Sequence, residues 1–409
     1  MLTEPGMARL MQILALNSGS SSIKFALFRC EGGSEERLLT GAIERIGESG
    51  GRLWIDREGK RVRDRSLPIP SHREGLQAVL QELTALGIEH PDVVGHRIVS
   101  GGPHRQQHCV IDSRVRRDLR AALPLAPLHL PAEIAGIESI AQIWPDKPQV
   151  ACFDTAFHQT LPELAARFPL PRDLWQEGVR KYGFHGLSYE YIVSQLPDQG
   201  QAPTIIAHLG NGASMAAVVH GRCQDTTMGL SPTGGLVMGT RSGDLDPGVL
   251  LYLLAEKGYD GAKLEHLLNH QSGMLGVSAC SGDMEVLLHE QERNHHARDA
   301  ISLFAYQARK HLGALIAVLG GIQRLVFTGG IGEHAAPVRW AICRPLEGLG
   351  IRLDPLANAA EETRARRISD PQSLAEVLVI PTDEDRMIAR HSCQLLCARP
   401  SVADGPVTA

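Results

Sequence analysis

Little in this chain of 409 residues suits a nucleic-acid or membrane partner. Lys and Arg number 41 against 46 Asp and Glu, a net charge of −5, and no basic block is present. General binding to a phosphate backbone is thereby disfavoured. Nothing approaches the roughly 20 apolar residues of a membrane helix; one of the longest pure runs is Ala314 to Leu319. Residues Met1 to Leu10 hold Glu4 and Arg9 but no apolar stretch of about 7–15 residues, so no secretory signal is expected. Residues 1–10 read instead as an N-terminal extension before the first strand-like run. The eight cysteines form no C-x-x-C pair, and several, such as Cys152, lie inside apolar runs. They are expected to be reduced core thiols of a cytoplasmic protein. The P-loop pattern G-x-x-x-x-G-K-[ST] is also missing.

What is there suits a soluble α/β protein. Apolar residues make up 43% and charged residues 21%, and the length predicts roughly two to three domains. Strand-like and helix-like runs alternate. Ile13 to Leu16, the polar turn Asn17 to Ser22 and the alternating run Ile23 to Phe28 predict a β-hairpin. Ser71 and Glu74 predict a capping box, with Leu76, Val79, Leu80 and Leu83 on one helical face and Gly87 closing it. Strands are expected over 92–99, 149–153 and 325–328, and a long helix over 299–319 stopped by Gly320. The hairpin pattern returns far along the chain. Thr204 to His208, the turn Leu209 to Ser214 and Met215 to Val219 repeat it. Such an echo predicts two similar domains, each offering a glycine turn to a shared cleft. Residues 11–155 with 386–400 are expected in the first and 156–385 in the second, and 401–409 as a frayed tail.

Glycine turns let consecutive backbone N–H groups converge on one anion. Three occur: Asn17 to Ser22, Leu209 to Ser214 and Gly329 to Glu333, the last between a strand and a helix-like segment. Together they favour a nucleotide. Gly330-Ile331-Gly332-Glu333-His334-Ala335 also fits the dinucleotide pattern, but hairpin turns have no role in a Rossmann domain.

Longer motifs carry a family resemblance. Asn17-Ser18-Gly19-Ser20-Ser21-Ser22 followed by Lys24, and Met238 to Gly248, resemble the two signatures of the acetate kinases. Gly95-His96-Arg97, Ala126 to His129, Phe153 to Gln159, Tyr182 to Gly186, His208 to Gly212 and Phe327 to Glu333 follow in family order over about residues 11–396. The resemblance implies a duplicated two-domain fold of the actin, Hsp70 and sugar-kinase type. It implies reversible, Mg²⁺-dependent transfer (Mn²⁺ as a substitute) of the ATP γ-phosphoryl group to acetate, giving ADP and acetyl phosphate, in a homodimer.

The same resemblance distributes the roles. Arg97 would hold the acetate carboxylate, Arg241 would neutralise the moving phosphoryl group and His185 would donate to one of its oxygens. A carboxylate nucleophile is already ionised at neutral pH and needs no base. Asp154 is therefore expected to orient Arg241, Mg²⁺ or its waters. Val99, Leu128, Phe184 and Pro232 would form a small apolar acceptor pocket, with His129 as a further donor. Asn17 and Glu384 would hold the metal. Lys24, Ser20 and Ser22 would contact phosphates, as would His208, Leu209, Gly210, Asn211 and Gly212. Gly330, Ile331, Gly332, Glu333 and His334 would border the α-phosphate and adenosine, with Asp283, Met284 and Glu285 nearby. Leu130 and His334 replace asparagines common in the family, and Ser231 to Gly235 departs from the usual sequence. Propionate kinase on the same scaffold, and a nucleotide-gated binding protein of the actin or Hsp70 kind, remain the alternatives.

Overall fold

The computed structural model describes residues 10–397 except 20, 49, 89 and 90; Ser20 thus lies outside the described residues. The chain divides into two compact units, residues 10–156 with 383–397 and residues 157–382.

The first unit is built on an eight-stranded mixed sheet. Its strands are β1 (Met11–Ser18), β2 (Ser22–Glu31), β3 (Ser34–Glu44), β4 (Arg52–Arg57), β5 (Lys60–Ser66), β6 (Val93–Ile98), β7 (Cys109–Val110) and β8 (Gln149–Phe153), in the order β5-β4-β3-β2-β1-β6-β8-β7. β1 pairs antiparallel with β2, and its register sets Asn17 opposite Lys24. On its other side β1 runs parallel to β6, and β6 parallel to β8. These parallel strands are buried nearly throughout, as expected of strands covered on both faces.

Helix α1 (His72–Ala85) closes one core. Its Leu76, Val79, Leu80 and Leu83 pack against Leu14, Phe25 and Ile43 of the sheet. Burying side chains of this size contributes about 1.5–3 kcal/mol each. Ser71 caps α1 by accepting from Arg73 N–H, while the Glu74 carboxylate bonds the Ser71 hydroxyl. This is a variant of the expected box, in which Glu74 would have reached the Ser71 backbone. Helix α2 (Leu130–Ile143) packs on α1 and β6.

The second unit repeats the plan with six strands: β9 (Thr204–Leu209), β10 (Ala213–Val219), β11 (Arg222–Thr226), β12 (Arg324–Thr328), β13 (Arg366–Arg367) and β14 (Glu376–Val379). The β9–β10 hairpin matches β1–β2, and β12 lies parallel to β9 as β6 does to β1. Its core joins Ile206, Val218 and Val326 to Tyr189 and Ile192 of helix α3 (Gly186–Gln195). The long helix begins earlier than the apolar pattern suggested, at His295, because Asn294 caps it by accepting from the His296 and Ala297 N–H groups.

The thiols differ from expectation. All eight cysteines are free, but Cys280 and Cys397 are exposed and Cys109 and Cys393 are half-buried.

Candidate active site

In the first unit Arg97 is placed by one strand and one helix. Residues two apart on a strand share a face, and residues four apart on a helix share a face. Gly95 and Arg97 are such a pair on β6, as are Glu384, Ile388 and Ser392 on the helix Glu384–Cys397. A Cβ at Gly95 would stand 2.5 Å from both Ile388 Cγ2 and Ser392 Oγ, so only glycine admits the helix here. One turn back along the helix, Glu384 Oε2 reaches Arg97 Nη1 at 2.9 Å. Asp154 takes the other edge of the guanidinium. Nη2 donates to Asp154 Oδ2 at 2.7 Å, and Nε lies 3.1 Å from both oxygens. Burial presses the Arg97 pKa down, but the Asp154 and Glu384 carboxylates outweigh it and hold the group above its ordinary value.

This geometry adds two contacts that the motifs did not suggest: Asp154 holds Arg97, and Glu384, expected at the metal, is also an ion-pair partner of Arg97. Glu384 opens its helix beside Asp383 and Asp385. Burial pushes the Asp385 carboxyl up to about 6; Arg37 opposes the rise, and Asp383 and Glu384 add to it. Amide and carboxylate oxygens such as those of Asn17 and Glu384 suit a hard cation such as Mg²⁺, and this crowding of carboxylates fits one.

The Asn17–Ser22 turn is closed by Gly19 N–H donating to Ser22 O at 2.8 Å. His72 Nε2, which the sequence did not single out, donates to Gly19 O at 2.7 Å. Lys24 is exposed beside the turn, and Ser22 is half-buried. Val99 is buried and Leu128 half-buried in this unit; His129 precedes α2.

In the second unit the histidines are held tightly. His185 adopts φ 59° and ψ 24°, a left-handed conformation rare for a side chain with a Cβ, and stands just before α3. Ser214 Oγ meets His185 Nδ1 at 2.8 Å and also bonds the Tyr189 hydroxyl. Where Tyr189 donates to Ser214 and Ser214 to Nδ1, His185 carries its proton on Nε2. The His185 ring stacks on His208 with centroids 4.2 Å apart. His208 Nδ1 is 2.9 Å from Ser188 Oγ, which bonds Thr382 Oγ1 at 2.8 Å.

Behind His185 lies His158. Its Nε2 donates to Phe184 O at 2.9 Å and its Nδ1 faces Cys223 Sγ at 3.2 Å. Burial pulls the His158 pKa down to about 4. Gly183, at φ +73°, lies so close that a Cβ would stand 2.5 Å from the His158 ring.

Arg241 and His185 converge on the second glycine turn. A Cβ at Gly212 would lie 2.6 Å from Arg241 Nη2 and 3.3 Å from His185 Nε2. Arg241 is braced by Nη1 donating to Pro232 O at 2.7 Å. Pro232 and Phe184, two of the expected pocket residues, are buried in this unit.

Beside this turn is a cavity of about 680 Å³, a size that suits a nucleoside phosphate. Of the residues expected to bind nucleotide, Gly210, Asn211, Asp283, Met284, Glu285, Gly330, Ile331 and His334 line it. Gly282, Leu288 and Ala335 complete it and were not foreseen. Gly282 packs on Gly239, where a Cβ would stand 2.6 Å from the Gly239 carbonyl, which ties the 282–285 wall to the loop carrying Arg241.

His208, Leu209, Gly212, Gly332 and Glu333 are not among the lining residues. Leu209 and Gly332 are buried in the fold. Glu333 turns inward: one carboxylate oxygen accepts from Gly329 N–H at 2.9 Å and Thr382 N–H at 3.1 Å. It caps its own helix (Gly329–His334), so the N–H of Gly329, expected to face phosphate, is already satisfied. Arg339, buried and absent from the sequence reading, grips the other end of that helix through Gly332 O and Glu333 O, both at 2.9 Å.

The sequence matches the profile of the Acetokinase family over residues 12–390. The chain belongs to the acetokinase family. Family relatives span the chain. The acetate kinase of Rhodopseudomonas palustris (strain ATCC BAA-98 / CGA009) is 46% identical over 392 residues, 94% of this chain and 98% of the relative. That of Streptomyces coelicolor (strain ATCC BAA-471 / A3(2) / M145) is 42% identical over 397 residues, with 94% and 97% covered. Among solved structures, Porphyromonas gingivalis acetate kinase superimposes with a TM-score of 0.84 at 38% identity, and a propionate kinase from Francisella tularensis subsp. tularensis SCHU S4 with 0.88 at 37%. Both cover 94% of this chain and 100% of their own. The family is therefore that expected from the motifs, and the α/β fold is the one these kinases share.

Proposed function

We propose that this chain is an acetate kinase, transferring the γ-phosphoryl group of ATP reversibly to acetate. The observation that carries the reading is the convergence of Arg241 Nη2 and His185 Nε2 on Gly212, beside a cavity of nucleotide size. Transfer between two anions is limited by electrostatic repulsion, and fixed donors aimed at the moving group are what lowers that barrier.

In this reading Gly210, Asn211 and the 330–334 segment hold the nucleotide. Arg241 and the Nε2 proton of His185 offset charge on the transferred group. Ser214 fixes the ring, and its place on Nδ1 leaves Nε2 as the donor. On the acceptor side Arg97 takes the acetate carboxylate; its fork suits two oxygens at once. Asp154 keeps that fork oriented and removes no proton. Val99, Leu128, Phe184 and Pro232 are the apolar residues proposed for the acetate methyl group. Mg²⁺, or Mn²⁺ in its place, held through Asn17 and Glu384, would supply charge neutralisation at the phosphates.

We also propose that the working form is a homodimer. Helix Pro247–Glu256 has no buried residue, and Leu251, at 66% exposed, is among five large apolar side chains it and its approach present, with Leu245, Val249, Tyr252 and Leu254. An apolar surface of this kind marks an association site. Free thiols throughout support a reducing, cytoplasmic setting; no helix among the described residues is long and apolar enough to cross a membrane.

Trapping the acyl phosphate with hydroxylamine tests the reading. ATP with acetate is expected to give hydroxamate; no carboxylate-dependent product overturns it. Similarity to a propionate kinase makes propionate the second acid to try, and a pocket that distinguishes the two by one methylene gives a preference of only about 10–200-fold.

A further inference from the structure

The acceptor side contains a buried carboxyl that no motif singled out. Glu133 lies in the first turn of α2 and is 3% exposed. Its two oxygens stand 3.2 and 3.1 Å from the Val99 N–H, at the point where the chain leaves the strand that carries Arg97. Among the described residues it forms no ion pair, because the guanidinium nearest in effect, Arg97, is already shared between Asp154 and Glu384.

The charged groups around it are few. From the end of β8 Asp154 acts on it, and from β6 Arg97. α1 directs Glu82 to Arg63 and Arg65 on the sheet. The helix Ser113–Ala121 meets α2 through the exposed Arg120–Glu138 pair, and the C-terminal helix spends Glu384 on Arg97. Nothing here supplies Glu133 with a cation of its own. Burial pushes its carboxyl up to about 8; the Val99 N–H opposes this, Asp154 adds to it and Arg97 opposes it.

We propose that Glu133 is a positioning residue of the acceptor site: its carboxyl braces the Val99 backbone, and loss of its proton adds a further buried anion beside Arg97 that opposes an incoming carboxylate. The inference rests on the acetate kinase reading. At neutral pH the group is uncharged, and Arg97 faces only Asp154 and Glu384. Above the transition an ionised Glu133 competes with acetate for the same positive charge. The effect falls on acetate more than on the nucleotide, whose cavity-lining candidates belong to the second unit.

The test is the pH profile of KM for acetate, with KM for ATP as its control. An acceptor that binds only the uncharged form has an apparent affinity reduced by the competent fraction, so KM for acetate is expected to rise about tenfold between pH 7 and pH 9. KM for ATP is expected to move by less than about twofold. Glu133→Gln keeps an oxygen for the Val99 N–H and cannot ionise, so its acetate profile is expected to be flat over that range. An active enzyme with a flat wild-type profile, or a Glu133→Gln profile as steep as wild type, overturns the role of Glu133 while leaving the acetate reading intact. Absence of acyl phosphate at every pH overturns both. Should Glu133→Gln not fold, infrared difference spectra of the wild-type protein decide. A protonated carboxyl band lost between pH 7 and pH 9 supports the proposal, and its absence at pH 7 contradicts it.

Discussion

Arg97 meets Asp154 edge-on, with Nη2 2.7 Å from Oδ2 and Nε 3.1 Å from both carboxylate oxygens, while Glu384 holds Nη1 from the other side. The pair fixes the plane of the guanidinium before any acid arrives. On the proposed function, Asp154 has a positioning task. Asp154→Asn is expected to lower kcat/KM for acetate by about 10²-fold, the scale of losing one organised electrostatic contact. Added imidazole or formate is expected to restore nothing, because no proton is removed from the acceptor. Rescue by such bases, measured in the hydroxamate assay, contradicts this role.

Gly212 gives a second prediction. A methyl group there would come 2.6 Å from Arg241 Nη2, the far end of a flexible side chain. The guanidinium can move aside at little cost to folding, but then leaves the place where it faces His185. Gly212→Ala is expected to lower kcat by about tenfold or more, while Tm shifts by less than about 4 °C, equivalent to a stability change below about 1 kcal/mol. Thermal unfolding and initial rates on one preparation check both halves.

Much of this was legible in sequence. Alternation in Ile23 to Phe28, the turn residues Asn17 to Ser22 and their return at 204–219 are local signals, and they gave the two hairpins correctly. The family motifs gave Arg97, His185 and Arg241. What sequence reading missed depends on distant segments meeting. Glu384 meets Arg97 only because Gly95 admits the C-terminal helix. Leu288 and Ala335 read as ordinary apolar positions until the fold puts them on one cavity wall. Glu333 sits in a motif that suggests ligand contact, yet its side chain is long enough to fold back on Gly329.

Acid stability follows from two buried histidines. His96, bonded to Gln149, and His158, bonded to Phe184, are each pulled down by burial from 6.5 to about 4. A histidine whose folded pKa is depressed binds its proton more readily when unfolded. Its stabilisation is present above pH 6.5 and is lost as pH falls through about 4. Tm is expected to drop across that range, and His158→Gln, though less stable at pH 7, is expected to drop less steeply. Equal slopes contradict the assignment.

Assembly is tested on the exposed helix Pro247–Glu256. Leu251→Glu places a charge where an apolar partner surface is expected, at a side chain 66% exposed. Light scattering is expected to show a dimeric mass for the wild type and a monomeric mass for the variant. A wild-type monomer contradicts the dimer proposal.

The central claim is that cationic groups on the acceptor side and the donor side act on one transfer from ATP to acetate. The most direct measurement is the rate of acetate-dependent acyl phosphate formation in the wild type, Arg97→Ala and Arg241→Ala. The expected result is a robust wild-type rate that falls by about 10²-fold or more in each variant, with folding retained. Rates in either variant within about threefold of wild type, or a wild-type protein that makes no acyl phosphate, would contradict the account.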